Sequence, residues 1–61
     1  MLEITIKIPG QRATTTQQPE SHFFATNRDD LLLAELVAAL EPGAVVSKQY
    51  RTFELEVRRI A

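Results

Sequence analysis

The sequence predicts a single α+β domain in which one helix packs on a three-stranded, mainly antiparallel sheet. Three observations support this fold class. The chain begins with a segment of alternating apolar and polar residues, has one long stretch of helix-forming residues in its middle, and ends with a second alternating segment. Its 61 residues are enough for only one hydrophobic core, so residues 1–61 are predicted to form one domain.

The first strand is predicted over residues 2–8. In this segment leucine and isoleucine occupy the even positions and polar side chains the odd ones, which is the period of a strand with one buried face. Pro9 and Gly10 end the strand, because proline lacks the amide hydrogen that a ladder needs and the pair favours a turn.

The segment from Gln11 to Ser21 is predicted to be a loop, since QRATTTQQPES contains one alanine and no large apolar side chain. Its threonines favour a second interpretation, an extra edge strand within residues 11–26, because β-branched residues suit a half-exposed pleated surface. The next segment, His22–Thr26, is interpreted as extended, so that Phe23 and Phe24 point to opposite sides. One of them is expected in the core and the other against the following helix.

The helix is predicted over residues 28–41. Asn27 is a favourable N-cap, and Asp29 and Asp30 place negative charge at the positive end of the helix dipole. The stretch LLLAELVAAL is rich in strong helix formers, and the Glu-Pro-Gly sequence after it is a stop signal.

One face of this helix is predicted to meet the core. Its stripe has the spacing i, i+3, i+4, i+7 and consists of Leu33, Leu36, Val37 and Leu40. Leu31 and Leu32 widen the stripe, so a second face must be covered by the loop or by another subunit. On this interpretation Leu36→Asp unfolds the domain, whereas Leu32→Asp mainly abolishes association.

Two strands are predicted after the helix. The apolar segment 44–47 is the first, Lys48–Tyr50 forms a turn or bulge, and residues 51–60 form the second. If the helix connection crosses over the sheet, the first and second strands of the chain run parallel. The last strand then lies between them and antiparallel to both.

Composition narrows the classes of function. The absence of cysteine excludes disulfides, thiolate metal sites and cysteine nucleophiles, and it fits the cytoplasmic location that we predict. The N-terminus has no secretory signal, and no window approaches the roughly 20 apolar residues of a membrane span. A net charge of -1 makes non-specific attraction to nucleic acid weak.

Groups for catalysis or metal binding are scarce, so we predict no enzyme activity, no metal and no cofactor. The single histidine, His22, stands beside Ser21 and Glu20, and three neighbours on one extended segment cannot form a catalytic triad. No second histidine completes a metal site. The two glycines are not spaced as in a phosphate-binding loop.

A pair of carboxylates on the last strand, Glu54 and Glu56, lies on one face of that strand. Paired carboxylates can do acid–base chemistry. Here they alternate with apolar residues, which indicates a solvated face with Lys7 or Arg58 as cross-strand partners.

The leading hypothesis is a small non-enzymatic protein-binding module that docks on a larger protein or complex and inhibits or modulates it. The surplus apolar surface of the helix, the open sheet edges and the long polar loop favour it. The candidate contacts are Phe23, Phe24, Leu31, Leu32 and Tyr50. The initial methionine and the lack of a linker favour a complete small gene product, a kind frequent among phage and mobile-element inhibitors such as blockers of immune nuclease complexes.

Two other hypotheses remain open. A nucleic-acid-associated regulator would use a basic patch, with Lys48, Arg51, Arg58 and Arg59 as candidates, although acidic residues on the outer sheet face oppose phosphate binding. A homo-oligomeric assembly subunit, such as a homodimer, would join copies through the helix stripe or a strand edge. Self-association would also support so small a core.

Overall fold

Four strands and two helices make up the structure, a computed structural model that describes residues 1–61. In chain order they are β1 (Leu2–Lys7), β2 (Thr14–Gln18), α1 (Glu20–Thr26), α2 (Leu31–Ala38), β3 (Val45–Gln49) and β4 (Glu54–Arg59). The strands form one antiparallel sheet in the order β2-β1-β4-β3. The predicted α+β class is confirmed, but the structure has one strand and one helix more than the main prediction.

The two alternating segments, β1 and β4, form the centre of the sheet. They pair from Leu2 opposite Arg59 to Lys7 opposite Glu54. β4 lies between β1 and β3 and runs antiparallel to both, as the crossover interpretation predicts. β4 begins at Glu54 instead of residue 51, because the amide of Tyr50 donates to the carbonyl oxygen of Phe53 at 2.8 Å and closes the hairpin between them.

The predicted turn at Lys48–Tyr50 is wrong in part. Lys48 and Gln49 belong to β3, where they pair with Leu55 and Glu54. The reversal therefore comes at Tyr50 and the residues after it. The sequence has no tight-turn signal that predicts the position of this reversal.

β2 shows that the main prediction of a loop over residues 11–21 is wrong for its central part. Thr14–Gln18 pairs with β1 without a bulge, from Thr14 opposite Ile6 to Gln18 opposite Leu2. The alternative prediction, an extra edge strand within residues 11–26, is confirmed. Because a strand with only one neighbour needs no buried face, threonine and glutamine side chains are sufficient here.

α1 corrects the interpretation of His22–Thr26 as extended. Pro19 precedes the helix with φ −64° and ψ 151°, and its missing amide hydrogen is no loss at a helix N-terminus. Asn27 ends α1 instead of capping the next helix. Its backbone amide and its side-chain Nδ2 both donate to the carbonyl oxygen of Phe23, at 3.0 and 2.9 Å.

α2 is shorter than the helix predicted over residues 28–41. Asp30 is its N-cap, since the carboxylate accepts a hydrogen bond from the amide of Leu33 at 3.1 Å. At the other end the amide of Leu40 donates to the carbonyl oxygen of Val37, so the last turn is tightened before Pro42. Gly43 has φ +84°, a conformation that favours glycine.

The core lies between the helices and one face of the sheet. Its seven buried side chains are Leu2, Ile4, Phe23, Leu33, Val37, Leu55 and Val57. Leu40 packs against this cluster, whereas 43% of Leu36 is exposed. Position 36 is turned about 60° away from Leu33 around the helix axis. The predicted core role of Leu36 is therefore wrong.

We expect Leu33 and Leu36 to differ in their contribution to stability. Leu33→Ala leaves a cavity among core side chains and should lower the free energy of unfolding by about 2–5 kcal/mol. Leu36→Ala removes a side chain that is already half in water and should cost about 1 kcal/mol or less. Urea unfolding followed by circular dichroism measures both, and equal losses would contradict this assignment of the core.

Candidate partner-binding surface

Three leucines of α2 are exposed to solvent and define what we call the leucine surface: Leu31, Leu32 and Leu36. Their exposed fractions are 71%, 61% and 43%. Leu32 and Leu36 are one turn apart and lie side by side, and Leu31 stands next to Leu32 at the start of the helix. Adjacent large apolar side chains in water are typical of interaction sites.

The carboxylate of Asp30 fixes the end of α2 that carries Leu31 and Leu32. Besides capping the helix, its Oδ2 accepts hydrogen bonds from Nζ of Lys48 at 2.5 Å and from the hydroxyl of Tyr50 at 3.0 Å. Lys48 lies in β3, and Tyr50 directly follows the last residue of that strand. One side chain therefore joins the N-terminus of α2 to the β3–β4 hairpin.

The protonation states of this cluster reinforce one another. The hydrogen bond from Lys48, followed by that from the amide of Leu33, holds the pKa of Asp30 below its usual value of 3.8. The same bond to Asp30 raises the pKa of Lys48 above 10.5. Burial, followed by the bond to Asp30, raises the pKa of Tyr50. At neutral pH the cluster is an ion pair with a neutral phenol as a second donor.

Aromatic stacking stiffens the hairpin next to this cluster. The rings of Tyr50 and Phe53 are 4.7 Å apart at an angle of 17°, and Nζ of Lys48 lies 5.2 Å from the centre of the Tyr50 ring. Stacking and cation–π contacts both favour a fixed arrangement. These contacts hold in place the two hairpin side chains, Lys48 and Tyr50, that bond Asp30 at the N-terminus of α2.

A cleft of about 250 Å³ opens between α1, β1 and the hairpin. It is lined by Ile4, Ile6, Gln18, His22, Phe23, Thr26, Asn27, Tyr50, Phe53 and Leu55. The hydroxyl of Thr26 and the amide of Asn27 donate to carbonyl oxygens of α1. The volume is slightly below the roughly 300–1,000 Å³ that is typical of small-molecule pockets.

The five candidate contacts predicted from the sequence fall in different places. Leu31 and Leu32 are exposed on α2, and Tyr50 is half-buried in the Asp30 cluster. Phe23 is 1% exposed and belongs to the core. Phe24 is half-buried and packs edge-on against Phe23, with ring centres 5.7 Å apart.

Two of the five candidates, Leu31 and Leu32, therefore lie on the leucine surface. Tyr50 supports that surface through its bond to Asp30. Phe23 is buried and cannot contact a partner. Sequence reasoning missed Leu36 as a surface residue. Its spacing of four from Leu32 was the signal that could have placed it there.

The four basic candidates do not form one patch. Lys48 is paired with Asp30. Arg59 forms an ion pair with Glu20 and donates to the carbonyl oxygen of Val37 at 2.9 Å, and its side chain is only 12% exposed. Arg58 is exposed on the sheet face without helices, and Arg51 is exposed in the hairpin. Two of the four charges are therefore neutralised inside the fold.

The sheet face without helices carries a second ion-pair group. Nζ of Lys7 is 2.8 Å from a carboxylate oxygen of Glu56 and 4.0 Å from one of Glu54, so the predicted cross-strand partnership with Lys7 is confirmed. The hydrogen bond from Lys7 lowers the pKa of Glu56, and the same bond raises the pKa of Lys7. Both groups are held in their charged forms.

His22 is exposed, and no three side chains among histidine, aspartate and glutamate lie together in a group that could hold a metal ion. Neither helix has the length and apolar character needed to cross a membrane. Comparison of the chain with protein-family models, with curated proteins and with solved structures found no match.

We expect Asp30→Asn to destabilise the protein, because the charged acceptor for Lys48 is lost and the cap is weakened. Asp29→Asn is the control, since Asp29 is exposed and lies beside the cluster. Urea midpoints at pH 7 should fall for Asp30→Asn and stay unchanged for Asp29→Asn.

The pH dependence of folding stability is a second test of the role of Asp30. A carboxyl whose pKa is lowered on folding stabilises the protein above its unfolded pKa, and this contribution is lost as pH falls through the folded pKa. The wild-type protein should therefore lose stability below about pH 4, and part of that loss should be missing in Asp30→Asn. Parallel pH profiles for the two proteins would contradict the role of Asp30.

Proposed function

We propose that this protein is a non-enzymatic binding module that docks on a larger protein through the leucine surface and thereby inhibits or modulates it. This proposal rests on the exposure of Leu31, Leu32 and Leu36 on one helix. The other face of that helix packs into the core. A domain of this size acts on its partner by occupying a surface, because it offers no cluster of groups for chemistry.

Three properties of the leucine surface support this role. Leucine side chains in contact with water gain free energy when a partner removes them from it, at roughly 25 cal/mol per Å² of apolar area. The Asp30 cluster orients the helix before any partner arrives, which reduces the entropy lost on binding. Glu35 lies within the surface and supplies one charge that can select a partner with a basic group.

The nucleic-acid alternative has less support, because Lys48 and Arg59 already have carboxylate partners. Arg51 and Arg58 are exposed and would have to act without them. Loss of the bound partner on nuclease treatment would favour this alternative, and a steep fall of affinity with salt would accompany it.

The test compares Leu32→Asp with Ile8→Asp in affinity capture from extract of the native cell. Both variants place a carboxylate at an exposed apolar position, 61% exposed for Leu32 and 40% for Ile8, but only the first lies on the leucine surface. We expect wild type and Ile8→Asp to retain the same protein partner after nuclease and high-salt washes, and Leu32→Asp to lose it. Retention by all three proteins would overturn the proposal. Circular dichroism checks that each variant is folded.

A further inference from the structure

The outer edge of β2 is open along its whole length. The strand pairs with β1 on one side only, since it is the first in the sheet order. Natural edge strands are usually protected by lysine, by proline, by a bulge or by a covering segment. Within Thr14–Gln18 there is no charge and no proline, the pairing with β1 has no bulge, and all the residues but Gln18 are exposed.

We propose that two copies of this chain join through their β2 strands, paired antiparallel and centred on Thr16. This register is the one that pairs all five residues of the strand. It places Thr16 opposite Thr16 of the second copy, Thr15 opposite Gln17 and Thr14 opposite Gln18. Every contact across the seam is between neutral side chains that both donate and accept hydrogen bonds. No like charges meet.

Charges beyond the two ends of β2 are of opposite sign. Arg12 precedes the strand and Glu20, the first residue of α1, follows it. Antiparallel pairing brings the Arg12 end of one copy next to the Glu20 end of the other. Arg12 is exposed, and the side chain of Glu20 is 38% exposed although it pairs with Arg59. The twofold axis repeats the contact, which gives two Arg12–Glu20 attractions per dimer. These attractions favour a second copy as the occupant of the edge.

The other edge of the sheet lacks this complementarity. Gly43 and Ala44 precede β3, and Tyr50 and Arg51 follow it, so antiparallel pairing of two β3 strands would bring no opposite charges together at these ends. Lys48 also lies in that strand, and lysine is a residue that protects edges. β2 is therefore the edge that suits self-association.

Single cysteines test both the dimer and its register, because the chain contains no cysteine of its own. Residues directly opposite in an antiparallel pair have Cα atoms about 4.5–5.5 Å apart, within reach of a disulfide. Thr16→Cys should therefore form a covalent dimer on mild oxidation. Thr14→Cys should not, since the two copies of residue 14 are offset by four residues, about 13 Å along the strand.

Sedimentation equilibrium of the wild type should show a mass of twice 6.9 kDa at sufficient concentration. A wild type that stays monomeric into the millimolar range would overturn the proposal. If Thr14→Cys cross-links as efficiently as Thr16→Cys, the proposed register is wrong, and so is the proposed attraction between Arg12 and Glu20. Thr52→Cys, exposed in the hairpin, is the control for random collision.

Charge substitutions at the centre of the seam give an independent test. Thr16→Lys and Thr16→Glu should each be folded and monomeric, because like charges meet at the twofold axis. An equimolar mixture of the two should recover the dimer mass. Thr52→Lys, which adds the same charge away from the seam, should remain dimeric. A dimeric Thr16→Lys, or a mixture that remains monomeric, would contradict the pairing.

Discussion

Burial of one face of the β1–β4 pair is the constraint on which the rest of the structure depends. Leu2, Ile4, Leu55 and Val57 all point to the same side of the two central strands and account for more than half of the seven core residues. The chain has only two short helices with which to cover them. Arg59 holds both helices to this face, because its guanidinium contacts Glu20 at the start of α1 and the carbonyl oxygen of Val37 in α2.

This constraint explains which parts of the fold could be predicted from the sequence. β1 and β4 were predicted because burial of one face leaves a period of two in the residue types. The leading prediction missed β2 because an edge strand without a buried face leaves no such period. α1 was not predicted because it is short and buries only one residue, Phe23. A single buried residue leaves no helical repeat of apolar positions in the sequence. Its boundary with α2 was misplaced because Asn27 and Asp30 are both good capping residues, and only the fold shows which end each one caps.

The candidate surface was predicted in part for a related reason. An apolar run as long as LLLAELVAAL cannot be buried all round by one narrow sheet, so surplus apolar surface was expected on α2. The sequence could not say which leucines would be exposed, since α2 is shorter than predicted and meets the sheet through Leu33 and Val37. The bond between Asp30 and Lys48 of β3 helps to hold that orientation, and it is a contact across 18 residues that no local pattern encodes.

The leucine surface and the β2 edge lie at opposite ends of the sheet, because α2 packs against β3 and the strand order is β2-β1-β4-β3. The proposed pairing at β2 would therefore leave both copies of the leucine surface free. The twofold axis of that pairing would be perpendicular to the sheet, so the helices of both copies would lie on one side of a continuous eight-stranded sheet and both leucine surfaces would face the same way. If the leucine surface binds a partner as proposed, such a dimer would bind an oligomeric partner at two points. The second contact would then form at the high effective concentration that follows from the first, so two weak leucine contacts would give a long-lived complex.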